Sequence, residues 1–109
     1  MITRKWTAPI PTSKRDEYID YIMQTGFADY KSTKGNIGAF LTLEEKDNKL
    51  YFTTLTFWDS YESIKNFAGE NYHLAKYYPK DDDFLIDKPK YVEHQEVVYG
   101  NSEAIRMDT

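Results

Sequence analysis

Cysteine is absent from the 109 residues, which removes disulfides, thiolate nucleophiles and cysteine metal sites together and fits a reducing compartment. Long apolar runs are also missing, and no charged-then-apolar leader follows Met1. Neither a membrane span nor an export signal is therefore expected, which makes the cytoplasm the expected location. There is no excess of basic residues: the formal net charge is −4, with both signs interleaved along the chain. A phosphate backbone would find no electrostatic footprint, so nucleic acid is not an expected partner. A Ser/His/Asp set, paired histidines at metal spacing, a phosphate-cradling glycine loop and a dinucleotide fingerprint are all lacking. Hydrolase, kinase and nicotinamide-dehydrogenase readings lose their support, and neither a metal nor another cofactor is expected. Asp81-Asp82-Asp83 has no alternating acidic positions, central glycine or terminal glutamate, so it reads as a solvated turn and not a calcium loop.

What the chain has is aromatic surface: 17% of its residues, ten of them tyrosines. That is more rigid, amphipathic area than one small core needs, and it suits an aromatic-lined cavity or a large interface. Residues 1–99 read as one domain and 100–109 as a loose tail with few apolar groups; removal of Ser102 to Thr109 should hardly alter stability. Ile2, Arg4, Trp6, Ala8 and Ile10 alternate with polar residues, as in a half-buried strand. Thr12 or Ser13 can cap a helix carrying Tyr18, Ile19, Ile22 and Met23 on one side, with Gly26 as its stop and Asp29 to Asn36 as a loop. Ile37–Glu45 and Leu50–Phe57 flank an Asp47-Asn48 turn and predict an antiparallel hairpin.

The organising stretch is Leu50 to Leu85. Its strand is β-branched and aromatic almost throughout, so a central place in the sheet is expected. Asp59 with Glu62 predicts a capping box and a helix starting at Asp59 or Ser60, with Tyr61, Ile64, Phe67 and Ala68 on one face and Gly69 at its end. A short second helical piece, Asn71 to Tyr77, should follow, then a loop around Pro79 whose aspartates stay in water, and a last strand over Tyr91–Tyr99.

Strand, helix, strand, strand, helix, strand gives an α+β, ferredoxin-like fold: a four-stranded antiparallel sheet with the helices on one face. Strands two and three are apolar on both sides, so a second copy of the chain is expected to cover the open face. Taken together, Ile2-Thr3-Arg4-Lys5-Trp6, TGFADYKSTKGNIGAF, FWDSYESIKNFAGENYHLAKYYPKDDDFL and YVEHQEV resemble the antibiotic-biosynthesis monooxygenase-like family over Met1 to about Tyr99. The resemblance implies a homodimer whose two sheets close into a dimeric α/β barrel, with a small-molecule cavity between each sheet and its helices. It further implies a cofactor-independent oxygenase or related oxidoreductase acting on a small hydrophobic, aromatic or quinone-like substrate. A non-catalytic binding or sensing homodimer is the alternative, and a purely structural partner a third. Haem-degrading members use a helix-borne histidine where this chain holds Phe67 or Ala68.

Parity and spacing nominate the site. His94, mid-strand, is the candidate proton-transfer residue, against a structural histidine tied to a carboxylate. Arg4, Trp6, Trp58, Phe67 and Tyr78 are candidate substrate-binding residues, with Arg4 at the polar end. Arg4 otherwise reads as half of a structural ion pair with Glu93 or Glu96, and the aromatics as core or dimer packing. His73 is expected to face solvent.

Overall fold

Strict alternation builds the centre of the sheet. In the computed structural model, which describes residues 1–101, β1 (Ile2–Pro11) and β3 (Lys49–Trp58) pair antiparallel along their whole length. Every even-numbered residue of β3 is buried, and every odd-numbered one is partly exposed. β2 (Asn36–Lys46) and β4 (Glu93–Glu96) flank this pair, giving the order β2-β3-β1-β4, all antiparallel. Asp47 and Asn48 both take positive φ, 52° and 60°. A two-residue turn of that kind twists with the strands it joins, and it closes β2 onto β3.

The even-numbered face of β1 and β3 carries the helices. Tyr18, from α1 (Arg15–Gln24), packs edge-on against Phe52 at 5.0 Å. Tyr30, from α2 (Gly26–Ser32), and Phe67, from α3 (Tyr61–Ala68), both meet Trp58. The core consequently has two centres: Ala8, Ile10, Tyr18, Ile22, Phe52 and neighbours form one, and Ile2, Tyr30, Trp58, Ile64 and Phe67 the other. Between them the sheet is polar, with Arg4, Thr54 and Thr56 all buried. Among the described residues no helix is long and apolar enough to cross a membrane.

Several local expectations are corrected. Gly26 does not end the helical region. The chain breaks at Thr25, whose hydroxyl and N–H both donate to the Tyr21 carbonyl, and restarts as α2 because Tyr30 packs into the core. Four residues of the expected connector, Asp29–Ser32, are thus helical. The cap of α3 is Ser60, whose Oγ accepts the Ser63 N–H at 3.2 Å; Glu62 pairs with Lys65 instead of reaching back. Residues 71–77 form no helix. Their backbone pairs with the 90–92 segment, Ala75 N–H donating to the Lys90 carbonyl and Val92 N–H to that of His73, both at 2.9 Å. A pair of strands side by side satisfies the same donors that a helix would. β4 is only four residues long, and Val98 and Tyr99 are almost fully exposed. Asp81 is buried rather than solvated. Of the expected tail, Ser102 to Thr109 lie outside the described residues.

Gly35 shows how α3 is seated. Its φ is +96°, its carbonyl accepts the Asp59 N–H at 2.9 Å, and a Cβ there would overlap the Ser63 side chain. Gly35→Ala is expected to cost roughly 2–3 kcal/mol from backbone strain and the clash together. Urea unfolding would measure this, and a loss under about 0.5 kcal/mol would show that α3 shifts freely.

Candidate functional site

Arg4 leaves the middle of β1 on the helix-bearing face and is only 4% exposed. Neither Glu93 nor Glu96 pairs with it, so the expected ion pair is not formed. Nη1 donates to the Tyr72 carbonyl, Nη2 donates to the Leu74 carbonyl at 3.1 Å, and the Nε2 of His94 lies 3.1 Å from Nη1. The guanidinium thereby clamps the 72–74 strap onto the sheet. Its charge is met by dipoles rather than a counter-ion, and burial pushes its pKa down from the ordinary arginine value.

His94 sits opposite Arg4 in the β1–β4 register. Burial, the Arg4 charge and His73 together hold its pKa down to about 4, so the ring is neutral at physiological pH. Nε2 then accepts from Arg4, which leaves the proton on Nδ1, a buried atom without a partner. His94 does not border the cavity described below; it holds Arg4, and no carboxylate holds it. His73 is exposed, but its ring stands 5.8 Å from that of His94.

The depressed pKa has a consequence for stability. The unfolded chain takes up the His94 proton near 6.5 and the folded chain near 4. Between those values the unfolded state binds more protons. The contribution is complete above the upper value and is lost as pH falls toward the lower one. Melting temperature should therefore fall across this window, and His94→Gln, whose amide oxygen can still accept from Arg4, should flatten the slope. An unchanged slope would remove His94 as its source.

A cavity of about 40 Å³ opens between the two core centres, bordered by Arg4, Trp6, Tyr30, Phe67, Lys76 and Tyr78 among others. Phe67 lies under two cations, 5.6 Å from the Arg4 Cζ and 4.5 Å from the Lys76 Nζ. Trp6 Nε1 donates to the Tyr77 hydroxyl at 3.2 Å, and that hydroxyl donates to the Pro89 carbonyl. Tyr78 and Lys76 both bond Asp29 of α2. Burial alone would raise the Asp29 pKa, but these two bonds outweigh it and hold the carboxyl below its usual range. Burial raises the phenol pKa values of Tyr18, Tyr30, Tyr77 and Tyr78, which keeps all four neutral. Asp81, also at the cavity, accepts the Tyr78 N–H at 2.6 Å, and burial raises its pKa.

Of the residues nominated from sequence, Arg4, Trp6, Phe67 and Tyr78 border the cavity. Trp58 does not: it is fully enclosed behind Phe67, with its Nε1 donating to Thr56 Oγ1 at 2.8 Å. Tyr30, Lys76 and Asp81 were missed. Tyr30 was hidden in a polar connector, though its spacing from Phe27 carries a helical signal. Lys76 and Asp81 give no local sign of their role. Among the described residues no group of histidines and carboxylates is arranged to hold a metal ion.

No protein-family model and no curated protein matches this chain. Solved structures do. One is a Bacillus cereus protein provisionally assigned as an antibiotic biosynthesis monooxygenase, at TM-score 0.58 and 18% identity, covering 92% of this chain and 94% of that one. Another is a mutant of MhuD with two manganese protoporphyrin IX molecules bound per active site, at TM-score 0.60 and 18% identity, covering 93% of this chain and 98% of that one. The likeness extends over nearly the full length of each. This chain therefore has the ferredoxin-like fold of these structures.

Proposed function

We propose that this chain is a homodimeric small-molecule-binding protein of the antibiotic-biosynthesis monooxygenase-like group, and that it oxygenates a small phenol- or quinol-like substrate without a cofactor. The observation that carries this reading is the cavity where neutral tyrosine hydroxyls and a buried guanidinium meet the rings of Trp6 and Phe67. Aromatic walls with a few placed polar groups are what a small aromatic ligand requires. In the reaction, a phenol gives all four electrons that O2 accepts: one oxygen atom becomes the second quinone oxygen and the other leaves as water. The protein's part is to hold the oxygen-bearing end of the ring and to pass protons through tyrosine hydroxyls. The test is oxygen uptake with a panel of phenols and quinols, expected at one O2 per phenol converted to quinone. Absence of uptake with every ring that binds would end the oxygenase reading.

The porphyrin bound by MhuD does not suit this cavity. At about 40 Å³ it is several-fold smaller than ordinary small-molecule sites, which run to roughly 300–1,000 Å³. Neither histidine borders it. One observation favours the alternative of binding without turnover. His94 is neutral with its proton on Nδ1, and the lone pair of its Nε2 is already committed to Arg4, so it is not free to serve as a base.

Assembly rests on the sheet face turned away from the helices. There Phe40 and Phe57 pack edge-on at 6.0 Å and, with Leu55, are left only half-covered, while Ile37 at the edge is 56% exposed. A second copy covers this patch in the proposed dimer. Leu55→Glu should convert a dimer to a monomer in sedimentation velocity, and a wild-type chain that is already monomeric at micromolar concentration would end the barrel reading.

A further inference from the structure

We infer that the cavity beside Arg4 receives an anionic headgroup, the carboxylate or phenolate oxygen of a small aromatic ligand. This rests on the reading of that cavity as the ligand site and names the ligand's charge. The acceptors around the guanidinium, two backbone carbonyls and an imidazole nitrogen, are all neutral. Nε–H and the second hydrogen of Nη2 have no acceptor among the described residues. None of the other charged groups at the cavity bonds the guanidinium. Lys76 is neutralised by Asp29 at 3.0 Å. Asp81 takes the Tyr78 N–H and makes neither an ion pair nor a hydrogen bond with Arg4. A buried arginine whose guanidinium is hydrogen-bonded only to neutral acceptors leaves a positive potential where two N–H groups are free, and an oxyanion matches both the charge and the fork.

Size agrees with a headgroup rather than a whole ligand. About 40 Å³ holds roughly three waters, close to the bulk of a carboxylate, so the ring it belongs to would stay at the half-exposed Trp6 and Tyr77. Those rings already meet edge-to-face at 6.2 Å.

The experiment is a titration of the full chain, labelled with nitrogen-15, following the Arg4 Nε–H resonance assigned through the backbone. The probes are formate, benzoate, 4-nitrophenolate and the neutral benzamide. A saturable shift of that resonance, with benzoate or nitrophenolate binding roughly tenfold or more tighter than benzamide, is expected. Whichever of the two anions binds identifies the headgroup. Benzamide binding as tightly as both anions would overturn the anionic reading while leaving the ligand site in place. If no probe moves the resonance, formate included, the cavity is not a ligand site and both readings fall.

Discussion

Arg4→Met is expected to lower the stability of the folded chain by about 3–5 kcal/mol. The substitution keeps most of the aliphatic volume but leaves the Tyr72 and Leu74 carbonyls and the His94 Nε2 without their donor. Hydrogen bonds to a charged group are worth roughly 1.5–3 kcal/mol each, and stranded acceptors add a desolvation penalty; relief of the buried charge offsets part of this. Arg4→Lys should recover only a fraction, because a point charge cannot span two carbonyls and a ring nitrogen as a planar fork does. Urea unfolding at fixed protein concentration checks this, with the midpoint falling and the slope unchanged. A loss below about 1 kcal/mol would mean that the 72–74 strap is held by its pairing with 90–92 alone, and that the clamp is incidental.

Trp58→Ala is expected to cost a similar amount, about 3–5 kcal/mol, by a different mechanism. The indole is fully enclosed at the end of β3, 5.5 Å from the ring of Phe67 and 6.3 Å from that of Tyr30. Its removal leaves a void that those two rings cannot fill without abandoning the cavity they border. Thr56 Oγ1 loses one donor but still donates to the Arg4 carbonyl, so the cost is mainly packing. Trp58→Phe should recover more than half of it, since an aromatic ring of smaller size refills most of the space. Equal losses for alanine and phenylalanine would place the effect in the Nε1 hydrogen bond instead.

The arrangement of strands was legible because each strand carries its own signal. Alternation in Ile2–Ile10, the β-branched and aromatic run before Trp58 and the Asp47-Asn48 turn are local features, and their order admits few sheet topologies. The end of α3 at Gly69, where φ is +91°, is local in the same sense. The 71–77 segment misled because helix and paired strand satisfy the same backbone groups, and the partner that decides between them lies near residue 90. Gly26 misled because a glycine that stops a helix and one that begins the next are indistinguishable until the packing of Tyr30 is known.

By itself the sequence determined the strand order, the common face of Arg4 and Trp6 on β1, and the exclusion of thiol chemistry. Only the tertiary structure decided depth and partnership. Trp6 and Trp58 share a sheet face, yet one borders the cavity and the other lies behind it, because parity fixes the direction of a side chain and not what is stacked over it. Arg4 was matched from sequence with a glutamate, since carboxylates are visible there. Its actual partners are backbone carbonyls 68 and 70 residues away. Every residue carries a carbonyl, so nothing in the side-chain sequence marks which of them a fold will turn toward a buried charge.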